Sequence, residues 1–435
     1  HYPSLSVAIV RRGEVVYQRA IGYENTWSNR EATTNTAYHV ASVSKAFTAS
    51  LAVLLHDRGV IDLDQPVAKY LPKGVSISNT PEVGATITLR QLASHTSGLP
   101  RRVPGKVQSV EWRYELEPQR LYDLLAGVTL EYEPGTGDRY SNLGFGLLGH
   151  ALELAADKPL NQLLQELLCA PLKLERTAYH VDKDLRIATG YTANPQLPER
   201  HTYKERLAGS GGLVTSTGDL ARFLAAHMEP GLFSSNMLAE LHTATRLKNG
   251  SPTTEALGWD IDTTNPTGRV LQKNGGRKNG GAWIGFSPEH GVGVAVITNI
   301  GDPDVDVIGR WLLARSVPGG DRPTSKHGYA KAAPFTGVRW DNDRPIVRVQ
   351  DRWSPLVSID GIPIERIMDF AQKEFGVSAH MRFSEDLPQV LSTMGHYPEW
   401  DVTLGLKTKD GRIEQVKVKM TEANRKLVRD QRLGK

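Results

Sequence analysis

Two stretches of alternating apolar and polar residues, lying far apart in the chain, constrain its fold more than any other feature. "LSVAIVRRGEVVYQRAIGY", from Leu5, reads as two strands joined by a tight turn around Gly13, and "GAWIGFSPEHGVGVAVITN", from Gly281, repeats the signal. Hairpins so distant can share one antiparallel sheet only if the chain between them packs against it. That intervening segment, from about Ala41 to Leu241, reads mostly as helices separated by Gly and Pro loops. The expected class is therefore α+β (α/β layered), an antiparallel sheet flanked by helices together with a helical region.

With 435 residues the chain exceeds what one compact core holds, so two domains are expected. After the second hairpin "PDVDVIGRWLLARSV" repeats apolar residues at helical intervals, and "PGGDRPTSKHGYAKAAPFTG" then breaks the pattern. The reading places a first domain at 1–317, a linker at 318–337 and a small mixed α/β domain at 338–435. Within the last, "RPIVRVQD" suggests a strand, "LVSIDGIPIERIMDFAQKEFG" a strand and a helix, and "WDVTLGLKTKDGRIEQVKVKM" a hairpin turning at Asp410-Gly411. The strand-turn-helix portion "LVSIDGIPIERIMDF" is similar to that of PDZ-like domains, which implies a peptide contact; packing on the first domain or joining of protomers in a homo-oligomer are the alternatives.

Several function classes are excluded early. A formal net charge of +4, with basic and acidic residues interspersed, argues against nucleic acid as a partner. No apolar stretch approaches the ~20 residues needed to span a bilayer. The lone cysteine, Cys169, rules out an intrachain disulfide and a thiolate-cluster metal site, and its leucine-rich surroundings predict a buried, inert thiol. The chain opens at His1 and enters a strand almost at once, as a trimmed or processed chain would.

Chemistry enters with "HVASVSKAFTASLAVLL", from His39. Phe47, Leu51, Leu54 and Leu55 mark the buried face of a helix that Gly59 can end, which puts Ser42 at or beside its first turn. Residues at i and i+3 are neighbours on a helix, so Ser42 and Lys45 can touch while Ser44 points elsewhere. A serine hydroxyl becomes a useful nucleophile when a neighbour accepts its proton. An amine with an ordinary pKa of ~10.4 does this if burial or another cation makes it neutral part of the time. Backbone N–H groups at the helix start are suited to hold an oxyanion.

Two further segments supply partners. In "YEPGTGDRYSNLGFGLLGHALELA" the tripeptide Tyr140-Ser141-Asn142 enters a second amphipathic helix; a phenol near two lysines is expected to shift toward phenolate and shuttle protons, and Asn142 can orient Lys45 or a substrate carbonyl. In "QKNGGRKNGGAWIGFSP", Lys273 and a Gly pair precede the hairpin, where an edge strand of small residues lets a substrate lie alongside. Gly276 is the expected second oxyanion donor, and Lys278 in the repeated "KNGG" rivals Lys273.

Together these segments resemble the penicillin-recognising serine hydrolases, in particular the class C β-lactamase and D-alanyl-D-alanine peptidase group with its esterase relatives. Ser42-Val43-Ser44-Lys45 matches the SxxK box, Tyr140-Ser141-Asn142 the YxN box, and Lys273-Asn274-Gly275 stands in the place of KTG. "LRQLASHTSGLP", "AGSGGLVTSTGDLARFL" and "GWDI" add to the similarity, which covers roughly residues 1 to 317. The resemblance implies Ser42 as the acylated nucleophile, Lys45 as its base, Tyr140 as proton shuttle, and Ser42 and Gly276 N–H groups as the oxyanion hole. It further implies substrate binding by Asn142, Lys273, Asn274, Gly275 and Gly276, with Lys273 attracting a substrate carboxylate, His95 as a structural turn residue, and no metal or organic cofactor.

Two departures stand out. Asn274 replaces the usual threonine, removing a hydroxyl that helps hold a carboxylate, and the helix that precedes the first strand in the group has no room here. The expected function is hydrolysis of a small-molecule or peptide-like acyl substrate, an ester or amide, through an acyl-serine. The alternative is a penicillin-binding sensor that acylates without efficient turnover. The loop "RRVPGKVQSVEWRY" offers Arg101, Arg102, Trp112 and Tyr114 as contacts roofing the site. Secretion or residence in a bacterial periplasm is implied by the family likeness alone.

Overall fold

The computed structural model describes residues 2–102, 118–179, 186–192, 198–199, 208–264, 268–301, 304–317, 331–394, 396 and 398–434. The chain forms two compact units, one of residues 1–263 and 269–309, the other of residues 264–268 and 310–435.

In the first unit the strands are β1 (Ser4–Arg11), β2 (Glu14–Asn25), β3 (Arg30–Glu31), β4 (Ala37–His39), β5 (Gly190–Tyr191), β6 (Pro198–Glu199), β7 (Val214–Ser216), β8 (Asp260–Asp262), β9 (Val270–Arg277), β10 (Gly280–Ser287) and β11 (Val292–Thr298). Seven of them make one sheet in the order β3-β2-β1-β11-β10-β9-β8. The two distant hairpins meet where β1 pairs antiparallel with β11, from Leu5 opposite Thr298 to Arg11 opposite Val292. Arg12 and Gly13 both take positive φ (48° and 73°), the backbone that a two-residue hairpin turn requires.

Helices between the hairpins cover this sheet, and one buried cluster joins Ala8 and Val10 of the sheet to Phe47, Leu51 and Leu55 of the Ser44–Asp57 helix and to Leu220 and Phe223 of the Thr217–Met228 helix. Phe47 stacks on Phe223 with ring centroids 3.8 Å apart. Burying each such side chain contributes about 1.5–3 kcal/mol, enough in sum to hold the nucleophile-bearing helix rigidly. Cys169 is buried, and desolvation, with Asp219 nearby, pushes its thiol up to about 12.

A polar chain crosses this core. The Ser50 hydroxyl donates to Ala46 O (2.8 Å), so His227 Nε2–H donates to Ser50 Oγ (3.2 Å) and His227 Nδ1 accepts from His242 Nε2–H (3.0 Å). Burial among Phe233, Trp259 and Phe286 pushes both imidazoles down, His242 to about 3, so both are neutral in the folded protein. The unfolded chain takes protons on them below 6.5. Their contribution to stability is therefore complete above 6.5 and is lost as pH falls through the window down to about 3. Thermal melting is expected to weaken steeply below pH 6, and His242→Gln to flatten that slope; an equal slope in both proteins would assign the acid sensitivity elsewhere.

The second unit contains β12 (Gly337–Asp341), β13 (Arg344–Val349), β14 (Arg352–Ile359), β15 (Ile362–Pro363), β16 (Asp401–Lys407) and β17 (Ile413–Lys419). These pair as β12-β13-β14-β16-β17, with β15 beside β14. The Ile364–Phe375 helix buries Ile367, Met368 and Ala371 against this sheet, and Gly411 turns the last hairpin with φ 83°. Ala332, Ala333 and Phe335, which the sequence reading assigned to a linker, are buried in this unit's core. The Pro and Gly around them mask three small or aromatic residues that pack once a tertiary partner exists.

Candidate active site

The site begins where β4 runs into the Ser44–Asp57 helix through a 3₁₀ turn, Ala41–Val43. Ala41 adopts the left-handed region (φ 45°), which costs a non-glycine residue roughly 1–2 kcal/mol. The turn is held by Ser44, whose hydroxyl donates to Ala41 O (2.5 Å) and accepts from Leu213 N–H (2.9 Å). Ser42 is thereby presented at the mouth of the helix, and one turn later Lys45 reaches it: Nζ lies 3.3 Å from Ser42 Oγ.

Lys45 has no exposed surface. Besides Ser42 Oγ its Nζ faces Asn142 Oδ1 (2.9 Å) and Ser210 O (2.5 Å). In the neutral amine those two oxygens take the two N–H bonds, and the lone pair points in the third direction, at the serine hydroxyl. Asn142 opens the Asn142–Ala156 helix, which Ser141 caps by accepting from Gly144 N–H (2.9 Å). The Ala208–Ser210 turn brings the third partner, a carbonyl that leaves no trace in residue type.

Tyr140 closes the constellation, its hydroxyl 2.5 Å from Ser42 Oγ. Lys45 Nζ, the Arg101 guanidinium and Lys273 Nζ lie 4.7, 5.0 and 5.4 Å from its ring centroid. The expected shift toward phenolate is nonetheless reversed: burial raises the Tyr140 pKa and outweighs the lowering by Lys273 and by the Ser42 hydrogen bond. The group is a neutral phenol. His95, also at positive φ (60°), packs 4.6 Å from the Tyr140 ring and accepts Ser141 N–H on Nδ1 (3.1 Å). Burial, then Lys273 and Lys45, drive its pKa well below 6.5, leaving a neutral ring that supports the Tyr140 turn.

On β9, Lys273 and Gly275 alternate with Asn274 and Gly276, the first two buried and the second two exposed. β8 pairs with β9 only as far as Gln272, so among the described residues no strand pairs with the edge from Lys273 onward on that side. Lys273 is 1% exposed and is ion-paired to Asp260 of β8. Burial opposes its charge, but the Asp260 carboxylate beside it outweighs that and raises its pKa, so the ammonium is kept. Lys278 is exposed beyond the strand.

Gly275 is a close approach: a Cβ there would meet Val40 O at 2.0 Å and Ser42 N at 3.1 Å, whereas at Gly276 nothing lies within 4 Å. Gly275→Ala is expected to cost about 1–3 kcal/mol and to displace the serine turn, while Gly276→Ala leaves stability within about 0.5 kcal/mol. Thermal denaturation of the two variants checks this, and equal melting temperatures would refute it.

The structure thus gathers Ser42, Lys45, Tyr140, Asn142, Lys273 and Gly275 at one place, with Asn274 and Gly276 on the exposed side of the strand beside them. Asp260 and Glu255, both in the cluster, are not among the site residues the sequence predicts, although Asp260 lies in "GWDI". An acidic side chain next to a lysine in space has no signature when twelve residues separate them in sequence. Trp112 and Tyr114 lie outside the described residues. Among the described residues no group of three or more His, Cys, Asp or Glu side chains is placed to hold a metal, and no helix is long and apolar enough to cross a membrane.

The beta-lactamase family profile matches residues 1–318. The chain belongs to the beta-lactamase family. It is an enzyme of the serine hydrolase class, with the fold of that family. D-alanyl-D-alanine-carboxypeptidase/endopeptidase AmpH of Escherichia coli (strain K12) is 27% identical over 294 residues, which cover 64% of this chain and 75% of that protein. Protein flp of Staphylococcus aureus (strain MW2) is 26% identical over 309 residues, 69% of this chain, and the match spans only 60% of flp. Among solved structures, a beta-lactamase/D-alanine carboxypeptidase from Yersinia pestis complexed with citrate superposes with a TM-score of 0.61 at 25% identity, covering 72% of this chain and 92% of that one. A second, from Pseudomonas syringae, gives a TM-score of 0.63 at 23% identity, covering 73% and 95%.

Proposed function

We propose that this beta-lactamase family member hydrolyses an ester or peptide-like amide through a covalent acyl-enzyme on Ser42. The observation that carries the reading is that Ser42 Oγ touches both Lys45 Nζ and the Tyr140 hydroxyl. Lys45 takes the serine proton as Oγ attacks the acyl carbon. The N–H groups of Ser42 and Gly276 hold the oxyanion, the role that preorganised backbone donors serve. Collapse breaks the bond to the leaving group, which takes the phenol proton of Tyr140. The proton on Lys45 then returns to the phenolate, so the serine proton has in net passed to the leaving group. Water hydrolyses the ester by the same steps in reverse, with the water in the place of the leaving group.

Similarity to a D-alanyl-D-alanine carboxypeptidase supports acyl substrates of peptide type, and the β9 edge, with which no described strand pairs from Lys273 onward on the β8 side, supports an extended one. Mass spectrometry after a fluorophosphonate is expected to find the label on the peptide bearing Ser42, with steady turnover of a p-nitrophenyl ester beyond the first equivalent. A label on another residue would overturn the reading. A burst of one equivalent without further turnover would turn it into that of an acylated trap.

A further inference from the structure

We propose that Asp260 occupies the cationic subsite of Lys273, so that this enzyme selects acyl substrates with no carboxylate next to the scissile bond. The inference rests on the acyl-serine reading above and specifies its substrate class. Asp260 sits at the end of β8, opposite Gln272 and diagonal to Lys273 on the neighbouring strand, and its carboxylate is ion-paired to Lys273 Nζ. The two partners differ in exposure: the Asp260 side chain is 32% exposed, the Lys273 side chain 1%. A substrate entering from the β9 edge therefore meets the carboxylate, with the ammonium behind it.

A second acid reinforces the arrangement. Glu255 is pushed up to about 8, first by burial; Lys273 opposes this, while Asp260 raises it by charge and by a shared hydrogen bond. Glu255 thus keeps a proton at neutral pH and donates to Asp260, fixing that carboxylate against the lysine. The pair Asp260 and Lys273 is neutral as a unit, so a substrate carboxylate brought there gains no counter-ion and faces a like charge, which specific sites use to reject a ligand. The exposed position of Asn274, where the family pattern has a hydroxyl, removes a further carboxylate contact. Arg101 near the Tyr140 ring is exposed to solvent, where salt screens its charge.

The test uses a matched pair of thioesters, N-benzoylglycyl thioglycolate and its methyl ester, with each kcat/KM divided by the rate of hydroxide-catalysed hydrolysis of the same thioester, because the free carboxylate also makes the thiol a poorer leaving group. For the full chain, this normalised kcat/KM is expected to be at least about 10-fold higher for the methyl ester, a difference of one decade in discrimination. In Asp260→Asn the ratio narrows by about the same factor, and in Asp260→Glu, which keeps the charge, it stays with the parent enzyme. A parent enzyme that cleaves the carboxylate at least as well as the methyl ester overturns the inference without any variant, and so does a ratio unchanged in Asp260→Asn. Fluorophosphonate labelling of Ser42 in each protein keeps the two readings apart. With labelling intact, a failed ratio counts against Asp260 alone, while loss of labelling and of all thioester cleavage in the parent enzyme removes both.

Discussion

Ser42→Ala is expected to abolish covalent labelling and to lower kcat for any acyl substrate by roughly four to six orders of magnitude, the loss measured when a hydrolase nucleophile is deleted. The residual rate reports what the oxyanion donors and binding alone supply. Alanine fits the 3₁₀ turn, whose anchors are Ser44 Oγ and Leu213 N–H and not the Ser42 hydroxyl. The structural cost is the pair of hydrogen bonds to Tyr140 and Lys45, about 1 kcal/mol each. Folding and catalysis should therefore separate cleanly. Circular dichroism and melting close to those of the parent, with no fluorophosphonate adduct, is the expected outcome; undiminished hydrolysis would end the assignment of the nucleophile.

Lys45→Met should have the next largest effect. Methionine keeps the length and most of the volume of lysine, so the helix face against Phe145 stays filled. It removes the proton acceptor from a serine that has no other base within reach among the described residues, and deletion of general-base assistance costs about 10²- to 10⁴-fold. Stability responds in two opposed ways. Asn142 Oδ1 and Ser210 O lose their donor, at about 1–3 kcal/mol each if water does not replace it, while an amine with no exposed surface no longer has to be desolvated. The measurement is the second-order rate of fluorophosphonate labelling at Ser42. A fall of less than tenfold would show that another group takes the proton, with Tyr140 the one to examine because its hydroxyl also touches the serine.

How much of this was legible in the chain varies with the range of the interaction. Short-range patterns were: the alternation of β1 and β2 with Gly13 between them, the helical spacing after Ser42, and the Ser42–Lys45 interval itself, which one helical turn converts into contact. Ser44 read as pointing away from Lys45, and its hydroxyl does turn inward to Ala41 O. The direction of the Tyr140 shift was not legible. Two lysines nearby argue for a phenolate, but the depth of burial decides, and depth belongs to the packed whole. The left-handed Ala41 was equally hidden, since nothing about alanine advertises a conformation that its surroundings impose.

Residue order alone settles that a serine and a lysine share a helix face, that an asparagine follows a tyrosine into another helix, and that a lysine precedes two glycines at a strand. These are consequences of backbone periodicity, which needs only a few neighbouring residues. Which of these groups is charged, and which charge a substrate meets, follows from distant segments brought together. Asp260 reaches Lys273 because β8 pairs with β9, Ser210 O reaches Lys45 because the Ala208–Ser210 turn packs under the Asn142–Ala156 helix, and Gly275 clears the serine turn because nothing larger fits there. Electrostatic energy depends on separation and on the exclusion of water, and both are properties of the assembled core.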